Sequence, residues 1–482
     1  MTATETRTDW ETVIGLEVHC ELRTETKLFC GCRNSFGEEP NTNVCPVCLG
    51  LPGSLPVLNR MAVEYAMRIG EALHCTVQPS QFHRKNYFYP DMPKDYQISQ
   101  YDVPINADGW LELPNGRRIG IVRAHLEEDT GKTTHVGGGG RIHEAAHSLV
   151  DYNRSGVPLV EIVSAPDLRS SEDARAYVDE LRAILVATGA SDGKMEEGSL
   201  RVDANVSVRR RGDEAFGTRC EIKNMNSLRS LGRAIEYEAA RQIELIEGGG
   251  TVVQETRHWD ENAGRTGSMR SKEEAYDYRY FPEPDLVPIA PSQEWIDSVA
   301  AALPRLPADR RAALAVASGM EPDSDAVVTV VRLGLDDLVE AVVSAGGGID
   351  TVAVAVRRVA NEVASDLEAA AGLDRGAFAR LVAMEAGGEL TSAQARTVLK
   401  TMMESGGDPQ RIAADLGFEA MAAGDLERVV DEVIADHPDE WARYCGGEDK
   451  LTGLFIGAIK KATNGQADLK AASALLRSRK GG

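Results

Sequence analysis

The clearest pattern along the chain is alternation. Between Val13 and Leu22, Ile14, Leu16, Val18, Cys20 and Leu22 take every second position, with Gly15, Glu17, His19 and Glu21 between them. A period of two places the sets on opposite faces of a strand, so Glu17 and His19 point the same way, about 7 Å apart. That spacing suits two ligands of one hard cation or two contacts to one phosphate. An exposed antiparallel strand with its polar face in water gives the same pattern.

A second alternating run, Arg201 to Arg209, sets Val202, Ala204, Val206 and Val208 against Arg201, Asp203, Asn205, Ser207 and Arg209. Beyond a turn at Gly212 to Glu214, Thr218, Cys220 and Ile222 oppose Arg219, Glu221 and Lys223, and the two runs are expected to pair as a hairpin. Its mixed polar face suits either a metal-bound nucleotide phosphate or plain solvent. Between these runs lie His125, Glu127, Glu128 and Asp129, and then Glu161 flanked by Val160 and Ile162. A carboxylate in so apolar a sequence must find a partner or reach the surface, because burying it alone is costly.

Helical spacing appears at Tyr177, Val178, Leu181, Ile184 and Leu185, with Ser170 and Asp173 as a capping box and Gly189 as the stop. Another helix is expected from Asn226 to Gly248. From Pro291 onward Ala, Leu, Val and charged residues recur at helical spacing almost throughout, after a Pro-rich linker at Phe281 to Pro291. Glycines at 346–348, 387–388 and 406–407 split this part into short helices, read as two small domains.

At 482 residues, two or three domains are expected. Neither a secretory leader nor an apolar run near the ~20 residues of a membrane span is evident, so a cytoplasmic location and no membrane are expected. The net charge of -22 argues against coating nucleic acid by charge alone. It leaves room for a local basic patch such as Lys460, Lys461, Lys470, Arg477, Arg479 and Lys480, which is equally a solvated tail.

Four of the eight cysteines form two close pairs, Cys30-Gly-Cys32 and Cys45-Pro-Val-Cys48, the pattern of a closed tetrahedral zinc knuckle; free buried thiols are the rival. His143-Glu-Ala-Ala-His147 matches the metalloprotease string, but it is crowded between four glycines and a strand-like segment, with too little helix to present both imidazoles. The glycine run Gly137 to Gly140 is followed by no Lys-Ser or Lys-Thr pair, so it is a loop and no P-loop.

Six segments are then recognisable in order: Val13-Ile-Gly-Leu-Glu-Val-His19, Arg84-Lys-Asn-Tyr-Phe-Tyr-Pro-Asp91, Asp95-Tyr-Gln-Ile-Ser-Gln100, His125-Leu-Glu-Glu-Asp129, Lys194-Met-Glu-Glu-Gly-Ser-Leu-Arg201 and Tyr278-Arg-Tyr-Phe-Pro-Glu-Pro-Asp285. Together they resemble the GatB family, the tRNA-binding, ATP-using B subunits of the aspartyl/glutamyl-tRNA amidotransferases. The archaeal GatE relatives are also similar but carry an inserted domain for which this length leaves no room.

The resemblance implies an α+β fold. A mixed-sheet, kinase-like cradle over residues 1–290 would be followed by an all-α helical domain over 291–404 and a small YqeY-like tail over 405–482 that touches tRNA. It also implies ATP-dependent transamidation of Glu-tRNA(Gln) or Asp-tRNA(Asn). The side-chain carboxylate is phosphorylated, since it is a poor electrophile without a leaving group, and ammonia from a glutaminase (amidase) subunit displaces the phosphate. Partners would be that glutaminase, a small third subunit completing a heterotrimer, and tRNA.

By motif, Glu17, His19 and Glu128 would hold Mg²⁺, with Glu161 and Asp203 close by and Glu127 guarding the ammonia path. Lys85, Arg201 and Lys223 would serve the nucleotide phosphates. Cys30, Cys32, Cys45 and Cys48 would hold a structural Zn²⁺, and Lys460 and Lys461 would face RNA. The opposing readings are a catalytically silent tRNA scaffold and the metalloprotease.

Overall fold

A computed structural model describes residues 9–137, 145–269, 278–418, 423–463, 467 and 469–480. The chain divides into two units between Ala308 and Asp309. In the first unit the strands are β1 (Trp10–Glu21), β2 (Thr76–Val77), β3 (Phe82–Asn86), β4 (Tyr96–Gln100), β5 (Asn106–Glu112), β6 (Arg118–Glu128), β7 (Lys132–Val136), β8 (His147–Asp151), β9 (Pro158–Ser164), β10 (Leu200–Arg210), β11 (Cys220–Lys223), β12 (Thr256–Asp260), β13 (Arg265–Ser268) and β14 (Phe281–Pro282). One large sheet runs in the order β13-β12-β11-β10-β1-β9-β6-β4-β3-β14, and β5 pairs with β2 and β6. It is mixed, because β11 and β12 run parallel while β1 is antiparallel to both β10 and β9.

The period-two pattern sets the layers. Ile14, Leu16, Val18 and Cys20 of β1, Ala124 and Leu126 of β6, Val160 and Ile162 of β9, and Val202, Ala204 and Val206 of β10 are each at most 2% exposed. They pack with the apolar stripes of α1 (Arg60–Ala72), α2 (Ser171–Ala187) and α3 (Leu228–Glu247) into one core. A fully buried Leu or Ile contributes about 1.5–3 kcal/mol, so this face fixes which side chains turn outward.

The helix starts are capped as their side chains dictate. Asn59 accepts from the N–H groups of Met61 and Ala62, and Ser170 accepts from Asp173 N at 3.1 Å. The start expected at Asn226 falls one residue later, on Ser227, whose hydroxyl accepts from Ser230 N at 3.0 Å. The hairpin read from 201–223 is present, with Ala204, Asn205 and Val206 opposite Ile222, Glu221 and Cys220.

The first unit extends beyond the expected break at 290. The helix α4 (Gln293–Ala301) buries Val299 in the same core as the sheet, because its apolar side has a partner there. The second unit is helical and holds two separate apolar cores, one from Leu314 to Ala413 and one from Leu426 to Leu476. Ala413, beyond the expected boundary at 404, still packs in the earlier of them. Among the described residues no helix is long and apolar enough to cross a membrane.

Candidate active site and metal clusters

Strand register brings the polar face of the sheet into rows. His19 of β1 stands opposite Arg201 of β10 on one side and Glu161 of β9 on the other, and Glu161 stands opposite His125 of β6. One step along, Glu17 faces Asp203. Side chains more than a hundred residues apart in sequence therefore share one cleft because β1 lies between its two late partners.

At its centre His19 Nε2 is 3.6 Å from Glu127 Oε1 and 3.8 Å from Glu161 Oε2, and His125 Nε2 is 3.4 Å from the same Glu161 oxygen. One donor atom each from His19, Glu127 and Glu161 lies within 4.8 Å of the others, so the trio can hold a metal ion. Burial alone raises the Glu161 carboxyl, but His125, His19 and Lys85 outweigh it and hold the group well below the usual carboxylate range. It remains an anion, as a ligand must. Burial, together with Glu161 and Glu221, raises Glu17, whose Oε1 accepts from Asn205 Nδ2 at 2.9 Å.

Lys85 borders the trio, and Arg201 and Lys223 stand on the rows beside it. Lys85 is half-buried; desolvation opposes its charge, but Glu127, Tyr280, Tyr278 and Glu161 together raise its pKa. Lys223 Nζ lies 2.6 Å from Asp203 Oδ2 and 3.0 Å from Glu221 Oε1. Arg201 Nη2 donates to Asp129 Oδ2 at 2.9 Å, where Arg154 Nε also approaches at 3.3 Å. Cations clamped around acidic ligands suit the charge stabilisation that phosphoryl transfer needs.

Of the residues expected at the site, Glu17, His19, Glu127, Glu161 and Asp203 share the cleft face, and Glu128 does not. Neighbours on a strand point to opposite faces, so once Glu127 enters the cleft Glu128 is turned through the sheet. It is 2% exposed, pairs with Lys94 and accepts from Ile98 N at 2.8 Å. Glu161, expected beside the ligands, is one of the trio in its place.

Reading the sequence did not single out Glu21, Asp129 or Arg154 for a role. Burial and Asp129 push Glu21 up to about 7 against the pull of Arg201 and Arg154. The alternation in β1 was sufficient to place Glu21 in the cleft. Arg154, at the end of a single 3₁₀ turn (Tyr152–Arg154), had no periodic signal.

The four knuckle cysteines also converge, with one sulfur each within 4.8 Å of the others. Four thiols at that spacing fit a tetrahedral, closed metal shell. The Cys30 thiol, the Cys45 N–H and Lys27 bring Cys48 down to about 5, while the same bond to Cys48 pushes Cys30 up and burial raises Cys32, so without a metal the cluster holds its first thiolate on Cys48. The loop is sewn to residues 150–156. Asn153 Oδ1 accepts from Asn43 N at 2.8 Å and its Nδ2 donates to Glu39 O at 2.7 Å, while Gly156 O accepts from Leu28 N at 2.9 Å. Gly156 has φ +83°, a left-handed conformation that favours glycine at this turn beside Cys48.

His143 and Glu144 lie outside the described residues. His147, the last residue of the metalloprotease string, opens β8 opposite Val136. A strand there cannot supply the shared helical face that the string requires. Lys460 and Lys461 are exposed in the last turn of a helix, Thr452–Ala462, in the second unit.

A mixed sheet that gathers carboxylates, imidazoles and a lysine, with a helical unit following it in sequence, defines the class: the chain matches the GatB/GatE catalytic domain over residues 12–297 and the GatB domain over 337–479. Along nearly its whole length it is similar to B subunits of the aspartyl/glutamyl-tRNA(Asn/Gln) amidotransferases. The one from Frankia casuarinae is 51% identical, covering 98% of this chain and 96% of the relative. Those from Carboxydothermus hydrogenoformans and Moorella thermoacetica are each 48% identical, covering 97% and 98% of this chain and 98% and 100% of the relatives. The chain belongs to the GatB family of amidotransferase subunits.

Proposed function

We propose that this chain carries out the ATP-dependent transamidation of Glu-tRNA(Gln), Asp-tRNA(Asn) or both. It would act in the cytoplasm within a heterotrimer, beside a glutaminase and a small third protein. The convergence of His19, Glu127 and Glu161 from three strands, beside the half-buried Lys85, is the observation that carries this reading.

Of the donor set, the two carboxylates fit Mg²⁺ carried with a nucleotide, and the imidazole adds one nitrogen donor. When bound, ATP supplies the phosphoryl group that converts the substrate carboxylate into an acyl group with a leaving oxygen. The protein's part is positioning and charge. His19, Glu127 and Glu161 would hold the cation, and Glu17 and Asp203 extend the acidic wall on the next row. Lys85 would meet the phosphate at the trio, while Arg201 and Lys223 add positive charge at either side. Soft thiolates at Cys30, Cys32, Cys45 and Cys48 fit Zn²⁺, with no open position for substrate. Lys460 and Lys461 would contact tRNA phosphates; reversing both charges should flatten the salt dependence of binding by about two in log–log slope.

The test is to co-purify the three proteins and assay misacylated tRNA with ATP and glutamine, omitting one component at a time. Glu161→Gln and His19→Ala should each lower amidation on the order of 100-fold while tRNA binding persists. Rates within about twofold of wild type would favour the silent scaffold.

A further inference from the structure

Beside the trio the cleft edge is built of rings. Lys85 continues into Asn86, Tyr87, Phe88 and Tyr89, and this segment lies against Tyr278 to Phe281. Asn86 locks the two together: its backbone N–H donates to Tyr278 O at 3.0 Å, and its Nδ2 donates to the carbonyls of Tyr278 and Arg279, both at 2.8 Å. The rings then fall into two platforms. Tyr87 and Tyr89 stack with centroids 5.4 Å apart, and Tyr101 and Tyr280 stack at 4.0 Å with planes 8° apart. Tyr278 sets its ring edge-on to Tyr280 at 6.0 Å and lies 4.8 Å from Lys85 Nζ. The lysine thus joins the rings to the carboxylates it faces, Glu127 and Glu161.

Tyr89 and Tyr101, the outer members of the two pairs, are 49% and 54% exposed. The chain is only 5% aromatic, so two stacked ring pairs, each with a half-exposed member, are a costly arrangement without an occupant. A flat, sequence-tolerant ligand fits them, and that is a nucleobase. The substrate fixes which one. The free side-chain carboxylate of an amino acid esterified through its α-carboxyl to the 3′-terminal ribose reaches the trio only when the terminal base settles within on the order of 10 Å of it. Each pair offers one open ring, so a strand can lay a base on each. With a net charge of -22, local affinity for RNA at this spot also has to come from something other than a general positive field.

We propose that the tyrosine platforms at the cleft edge stack the unpaired bases at the 3′ end of the aminoacylated tRNA, with the Tyr101–Tyr280 pair taking the terminal adenosine; this rests on the reading that the trio activates the esterified residue.

The experiment compares equilibrium binding of intact tRNA(Gln) and of the same tRNA lacking its terminal adenosine to the purified heterotrimer. Trimming should weaken binding to wild type about tenfold. In Tyr101→Ala and Tyr280→Ala the ratio of the two affinities should fall to about one. Tyr101→Phe, which retains the ring, should keep the wild-type ratio and guards against misfolding of the alanine forms. A trimming penalty that survives in both alanine variants would overturn the proposal. So would a raised KM for ATP with that penalty intact, which would assign the rings to the adenine of the nucleotide. Wild-type heterotrimer that shows the trimming penalty but never amidates would sink the parent reading and leave the stacking site standing.

Discussion

At the scale of single residues, the two neighbouring carboxylates of β6 illustrate how far the backbone decides a role. Glu127 stands in the cleft, and Glu128 is buried against Lys94 behind it, with side-chain exposures of 2% and 6% for that pair. Glu128→Gln leaves an uncompensated buried ammonium, so urea unfolding should show a loss of about 3–5 kcal/mol, mostly regained in the double variant Glu128→Leu/Lys94→Met. An unchanged unfolding midpoint would mean that the pair is dispensable. Glu238 on α3 gives the pH dependence. Burial would raise its carboxyl, but the hydrogen bonds from Arg241, Gln242 and Thr266 outweigh it and depress the pKa below 4.5. A depressed carboxyl contributes stability that is fully present above the ordinary value and lost as pH falls through the folded value. The difference in melting temperature between wild type and Glu238→Gln should therefore be largest near neutrality and shrink below pH 4.5; a constant gap would show that packing, not charge, accounts for it.

At the scale of elements, the strands were legible and the turns were not. Alternation in β1 and β10 announced which side chains share the cleft, because a half-buried strand cannot hide its period. It could not say which of Glu127 and Glu128 enters, since both are polar and only pairing with β9 and β4 settles the phase. The spacing of the cysteines announced the knuckle. Its attachment to Asn153, and through the same turn to Arg154 and Asp129, is long-range hydrogen bonding with no local signal. That attachment makes the knuckle a brace for one flank of the cleft. Elemental analysis should find one zinc per chain, and chelation or Cys45→Ser should lower the melting temperature by roughly 5–10 °C and open residues 24–57 to proteolysis. A metal-free protein that melts unchanged would refute the bracing.

At the scale of the whole molecule, the division at 308 is a division of cores. Each unit buries its own apolar residues, so a fragment of residues 309–482 should fold alone, with helical circular dichroism and a cooperative melt; a gradual, featureless transition would count against it. The placement of β1 has a different reach. It leaves the ribosome well before the partners on its two sides, β9 and β10, which begin only at Pro158 and Leu200. Until Pro158 is made both edges of this strand are unsatisfied and open to other nascent chains, and one edge stays open until Leu200. The strand that organises the chemistry is thus the one most in need of chaperones during translation, and slowing elongation before residue 210 should raise the fraction of chains that aggregate.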